Sequence, residues 1–258
     1  MFRKKKLNDD NRIIVDDPNF AYQIEGYTRL KDNVLFMNVD GKNQVLQIES
    51  SVQHEGKTTV LSNLAVALGM TEKKVAVVDL DFRRPRLHRA FKLSKSVGVS
   101  DYILGDCELK DIIKNSGHKN VDVITCGDAM NNPTLILVSD KFKAFIKELR
   151  EKYDFILLDC APVLQVSDYI HISKVSDGVI FCVAYAMITK AQVSEAVREL
   201  RKNNVNILGS VFSMYDKKKD KSLGLGGYYK YYKHYKSYIE ESSRQREKDE
   251  EEFTAEQK

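Results

Sequence analysis

Four short runs, apolar at nearly every position, most constrain the fold of this 258-residue chain: residues 45–48, 75–78, 155–158 and 179–183. A strand with one solvated face alternates apolar and polar residues. These runs do not, which is the pattern of parallel strands buried on both faces. Residues 207–214 form a fifth run, and residues 121–125 a shorter, weaker one. Between them apolar residues recur at helical spacing: Leu61, Leu64, Ala65 and Leu68; Phe142, Phe145, Ile146 and Leu149; Val193, Ala196, Val197 and Leu200. Strand alternating with helix predicts an α/β fold, with a mostly parallel central sheet and helices on both faces. Ligands of such sheets bind beyond the carboxyl ends of the strands.

The length suits one large α/β domain with appendages. Residues 1–20 read as a mobile basic arm, residues 21–214 as the core domain with a leading helix near 25–36, and residues 215–258 as a tail rich in lysine and tyrosine. No stretch approaches the roughly 18 uninterrupted apolar residues of a membrane span. The basic N-terminus lacks the apolar centre of a signal peptide, so a cytosolic protein is expected. Cys107, Cys126, Cys160 and Cys182 form no C-x-x-C pair, which argues against a zinc site or a disulfide framework. A net charge of +4 is too small to point to nucleic acid. The charge is instead blocked: residues 3–6 and 217–236 are basic and residues 249–252 acidic, as in solvated segments.

The first run leads into Ser50-Ser-Val-Gln-His-Glu-Gly-Lys-Thr-Thr, and a helical pattern follows at once. Gly56-Lys57-Thr58 is the core of a Walker A phosphate loop, although Ser51 stands where the first glycine of that pattern belongs. Phosphate binding needs backbone N–H groups aimed at the oxygens, aided by the positive end of a helix. The expected cradle is Ser51, Val52, Gln53, His54, Glu55, Gly56, Lys57, Thr58 and Thr59. Lys57 would reach the β and γ phosphates of ATP, and the Thr58 hydroxyl would bind Mg²⁺. A P-loop NTPase-like fold follows.

Two further runs end in acids. Asp79 and Asp81, two residues apart, share one side of an extended chain, and Asp159 ends the third run. Magnesium takes hard oxygen ligands, one or two of them carboxylates, so Asp79, Asp81 and Asp159 join Thr58 as the expected metal site. A single acid there would more commonly be a turn or cap residue. Arg83 and Arg84 could balance phosphate charge in a transition state. The competing reading for either one is an ion pair with Asp81 or a neighbour.

These residues resemble the bacterial tyrosine kinases of capsule and exopolysaccharide synthesis. The phosphate loop resembles that family's Walker A, residues 75–85 with His88 its Walker A′ segment, and Phe155-Ile-Leu-Leu-Asp-Cys-Ala-Pro its Walker B. Asn132-Pro133, Val166-Ser167-Asp168 and a C-terminal tyrosine cluster also fit. The resemblance implies an ATP-dependent protein-tyrosine kinase, an ATP:protein phosphotransferase. It places Lys57 and Thr58 on ATP and Mg²⁺, and Asp79, Asp81 and Asp159 in the metal and catalytic site. Asp79 or Asp81 would assist a tyrosine hydroxyl whose pKa lies near 10. It further implies the split form, which works at the membrane with a separate transmembrane adaptor. Gln53-His54 departs from the family's Pro-Gly, and a β-carbon at His54 would hinder a turn that glycine allows. Cys160-Ala161 replaces Thr-Pro. Glu25, Thr28 and Lys31, with Arg29 beside them, only partly match the Glu-x-x-Arg-x-x-Arg pattern used in ring assembly.

Tyr228, Tyr229, Tyr231, Tyr232, Tyr235 and Tyr238 alternate with Lys230, Lys233 and Lys236 and show no single apolar face. With the kinase motifs, they read as autophosphorylation sites rather than an adhesive peptide. Six phosphates would add roughly −9 to −12 of charge and release a tail docked in a neighbouring subunit of a homo-oligomer. Two other readings remain. One is a non-catalytic nucleotide-dependent scaffold, prompted by His54. The other is a partition-type ATPase, disfavoured because Val52 occupies the place of its signature lysine.

Overall fold

The computed structural model describes residues 13–128 and 132–215. The basic arm residues 3–6, the tyrosine cluster and the acidic block 249–252 lie outside them. A compact unit closes at Tyr215. Its seven strands are β1 (Val45–Ser50), β2 (Val75–Asp79), β3 (Lys114–Asn115), β4 (Val121–Ile124), β5 (Phe155–Asp159), β6 (Gly178–Ala184) and β7 (Ile207–Ser213). They form one sheet in the order β3-β4-β2-β5-β1-β6-β7. Every pairing is parallel except that of β3 with β4. The five runs and the weaker sixth are thus all strands. The two residues of β3 are too few to carry a period of two.

The continuous apolar runs follow from coverage on both faces. Leu46, Ile48, Val75, Val77, Phe155 and Leu157 join one core cluster. Their alternate neighbours Val45, Ala76, Val78, Ile156 and Leu158 join another. The helices are α1 (Ala21–Met37), α2 (Lys57–Gly69), α3 (Leu87–Ala90), α4 (Val99–Leu104), α5 (Leu109–Ile112), α6 (Pro133–Val138), α7 (Asp140–Lys152), α8 (Asp168–Ile172) and α9 (Lys190–Lys202). Leu61, Leu64 and Leu68 of α2 fill the first cluster with Val34, Tyr27 and Leu30 of α1. Because α1 covers its outer side, α2 is buried nearly all round. Phe142, Phe145, Ile146 and Leu149 of α7 fill the second. Ala196 and Leu200 of α9 cover Val179 and Phe181 in a third. Ser139 caps α7 by accepting from the Phe142 N–H at 3.1 Å, and a Thr189–Gln192 capping box opens α9.

One boundary differs from the sequence reading. Residues 13–20, assigned to a mobile arm, are built into the domain: Val15 is buried and the Ile14 N–H donates to Asn63 Oδ1 of α2 at 2.7 Å. Ile13, Ile14 and Val15 give this segment enough apolar surface to leave water. In α1, Arg29 pairs with Glu25 at 2.8 Å, one turn apart, so that acid is already engaged within its own helix. No helix among the described residues is long and apolar enough to cross a membrane.

Candidate functional site

The register sets the acids side by side. Asp159, the last residue of β5, is paired with Asp79, the last of β2, on one side, and with Ile48 of β1 on the other. Beyond β1 the chain turns through residues 51–56 into α2. Two positions of this turn are left-handed: His54 at φ +66° and Gly56, just before the helix, at φ +83°. Glycine adopts that conformation without strain, whereas a β-carbon makes it costly. The expected hindrance at His54 is therefore borne by its backbone.

Lys57 is only 7% exposed, and its ammonium donates to Ser50 Oγ at 3.0 Å. The Ser50 hydroxyl in turn donates to the Val52 carbonyl at 2.7 Å. Thr58 Oγ1 donates to Asp159 Oδ2 at 2.7 Å, while Asp159 Oδ1 is buried without a hydrogen-bond partner. Burial raises the Asp159 carboxyl to about 6, although Lys57 and the Thr58 hydroxyl pull it down. Asp79 is pushed well above the carboxylate range by burial and by the charges of Asp159 and Asp81. Glu49, on β1, is fully buried with neither oxygen hydrogen-bonded. Its carboxyl is raised by burial, against the opposing pull of Lys57.

The expected residues divide into groups. Lys57, Thr58 and Asp159 come together. Asp79 does not face outward: its Oδ1 accepts from the Asp81 N–H and its Oδ2 from the Leu87 N–H, each at 3.2 Å. It shapes the turn after β2, the role a lone strand-end acid commonly has. Asp81 is partly exposed and accepts from the Arg84 N–H at 3.0 Å, which leaves it the accessible acid of the pair. Arg83 is turned to Asp168, with Nε 3.3 Å from Oδ2. The ion pair is therefore realised, but with an acid of α8 rather than with Asp81. Arg84 donates to the Gln53 side chain. The Glu55 carboxyl points into the domain and accepts from the Val52 and Ala184 N–H groups, so only its backbone can face a phosphate.

Sequence reasoning missed Glu49, the partner of Asp168, and Ser213, whose hydroxyl donates to the Glu55 carbonyl. An acid inside an otherwise apolar strand was a visible signal for Glu49. Nothing in sequence pairs Asp168 with Arg83, 85 residues away.

The residues fit a bound Mg²⁺–phosphate group. A buried ammonium requires an anion, and the orphaned Asp159 oxygen beside a hydroxyl offers hard ligands. Among the described residues no three His, Cys, Asp or Glu side chains could hold a metal by themselves. Magnesium needs only one or two carboxylates when phosphate supplies further oxygens.

A family model described as an AAA domain matches residues 51–217, from the phosphate loop to just beyond β7. The tyrosine-protein kinase YwqD of Bacillus subtilis (strain 168) is 31% identical over 218 residues, covering 84% of this chain and 91% of YwqD. The chain belongs to the bacterial tyrosine kinase family. Tyrosine-protein kinase Etk of Escherichia coli (strain K12) is 29% identical over 201 residues; these cover 78% of this family member but 28% of Etk. The solved kinase domain of Escherichia coli Etk superposes with a TM-score of 0.76 at 28% identity, covering 81% of this chain and 82% of that domain. The septum site-determining protein MinD of Pyrococcus horikoshii OT3, complexed with Mg-ADP, superposes at 0.59 with 26% identity, covering 72% and 75%. The kinase-family chain thus shares the wider P-loop NTPase fold.

Proposed function

We propose that this chain is an ATP-dependent protein-tyrosine kinase. Its targets would be its own Tyr228, Tyr229, Tyr231, Tyr232, Tyr235 and Tyr238, and tyrosines of other proteins. One observation carries the reading. Lys57 and Thr58 open a helix at a left-handed glycine, and Thr58 is bonded to Asp159, whose other oxygen is buried and unpartnered. That arrangement supports a seat for a magnesium-bound polyphosphate. When bound, Mg²⁺·ATP supplies the phosphoryl group and neutralises part of its charge. Lys57 and the N–H groups of the loop hold the phosphates, and Thr58 and Asp159 hold the metal. Asp81 accepts the phenolic proton as the tyrosine Oη takes the phosphoryl group and ADP departs. Arg83 holds Asp168 and supports the loop that carries Asp81.

Membership of the family supports a role in regulating capsule or exopolysaccharide synthesis and export. The same membership supports a transmembrane polysaccharide co-polymerase or adaptor as partner, with the kinase at the inner face of the membrane. Self-association through exchange of tails belongs to this reading. The left-handed His54 favours a second one, a scaffold that binds nucleotide and transfers little phosphate. Mass spectrometry after incubation with Mg·ATP decides between them. Multiply phosphorylated peptides spanning residues 228–238, absent from Lys57→Met, support the kinase. Nucleotide binding without phosphotyrosine supports the scaffold.

A further inference from the structure

The phosphate loop is also gripped from a side that the proposed chemistry does not use. The Glu55 side chain is fully buried. Its Oε1 accepts from the Val52 N–H at 2.7 Å, and its Oε2 from the Ala184 N–H, at the end of β6, at 3.2 Å. The next amide, Tyr185 N–H, donates to the Ser213 carbonyl at the end of β7 at 3.0 Å. The Ser213 hydroxyl then returns to the loop and donates to the Glu55 carbonyl at 2.5 Å. A β-carbon on Gly56 would lie 3.4 Å from Ser213 Cβ and Oγ, so the loop and the end of β7 are in contact there. The grip closes as a ring: loop to β6, β6 to β7, β7 back to the loop.

The peptide plane gives this ring a consequence. The Glu55 carbonyl and the Gly56 N–H belong to one trans peptide unit, in which the two bonds point in opposite directions. A hydroxyl that fixes the carbonyl toward β7 therefore fixes the Gly56 N–H away from it, immediately before the helix that carries Lys57. Hydrogen bonds to a carboxylate are also stronger than neutral ones, so Glu55 holds the loop's entry as firmly as Ser213 holds its exit.

We infer that Glu55 and Ser213 are positioning residues of the phosphate loop: their side chains touch no phosphate but orient the backbone amides that do. The inference rests on the nucleotide-binding reading. It makes phosphate affinity depend on the far ends of β6 and β7, the second of which leads directly into the C-terminal tail.

The test uses the full chain at a temperature where circular dichroism shows each variant folded. Titration calorimetry compares wild type, Ser213→Ala and Glu55→Gln with Mg·ATP and with Mg-bound inorganic triphosphate. Ser213→Ala should weaken both ligands about five-fold, the fold-change of one lost hydrogen bond. Glu55→Gln, which sets a donor against one of the two N–H groups the carboxylate accepts from, should weaken both at least as much. Hydrogen exchange on wild type supplies a second readout, judged against the amides of β4, which register any general stabilisation by the ligand. Mg·ATP should slow exchange of the Ala184 and Tyr185 amides, which lie outside the phosphate cradle. Wild-type affinity in Ser213→Ala, or no change in exchange at those two amides when wild type binds Mg·ATP, overturns the inference. Failure of wild type itself to bind Mg·ATP instead overturns the nucleotide reading and this one with it.

Discussion

Replacing Asp159 by asparagine should make the protein more stable at pH 8 while removing a carboxylate from the proposed magnesium seat. The Asp159 carboxyl sits at about 6 because burial penalises its charge, with Asp81 adding repulsion, and Lys57 and Thr58 offset only part of this. An unfolded aspartate titrates near 3.9. Between these values the folded state binds more protons than the unfolded one, so stability from this group falls as pH rises through that window. Above it the ionised group costs the fold about 3 kcal/mol, at 1.36 kcal/mol per pH unit. Asparagine keeps an acceptor for the Thr58 hydroxyl and carries no charge, so it removes the cost. The stabilisation of Asp159→Asn over wild type should be near zero at pH 4 and grow to about 2–3 kcal/mol by pH 8. At about 2–4 °C per kcal/mol for a domain of this size, that is a rise in melting temperature of roughly 4–12 °C. Urea titrations at several pH values measure it, and Mg·ATP should raise the melting temperature of wild type only. A variant less stable than wild type at pH 8, or an advantage that does not change with pH, would refute the electrostatic account.

His54→Gly should relieve a left-handed conformation that costs a side chain roughly 1–2 kcal/mol, against about 0.5–1 kcal/mol for the extra freedom of an unfolded glycine. A gain of up to about 1.5 kcal/mol in unfolding free energy is expected, and a loss of stability would contradict it. Arg83→Ala leaves the buried Asp168 with only Thr134 at 3.5 Å. Because Arg83 is 44% exposed, water replaces part of the lost interaction and a cost of about 1–2 kcal/mol is expected; denaturant titration checks it. Phe145→Ala, at a fully buried position of α7, should cost about 3–5 kcal/mol, visible as a shift of the urea midpoint. The same loss in a variant that still binds nucleotide would separate stability from function.

Sequence carried the fold to an unusual depth because its signals are local. A strand buried on both faces must be apolar throughout, so 45–48, 75–78 and 155–158 announced themselves. A helix with one covered face must repeat, so α7 and α9 did too. The turn from β1 into α2 was legible for the same reason: Gly56, Lys57 and Thr58 are consecutive, and the left-handed glycine stands immediately before the helix. What the sequence left open is how residues distant along the chain share space. The equal spacing of Asp79 and Asp81 marked both as ligands. The fold turned one into a brace for two backbone N–H groups and left the other accessible. Arg83 carried a charge that could serve a transition state or an ion pair, and its partner was fixed when α8 arrived beside the turn after β2. Glu55 belonged to the loop by sequence, but the directions of its carboxyl and carbonyl were decided by the ends of β6 and β7. Residue type and local spacing determine which groups are available and which elements form. Only packing decides which polar atoms are buried together, because the cost of burying a charge or an unpaired donor depends on neighbours that the chain brings from far away.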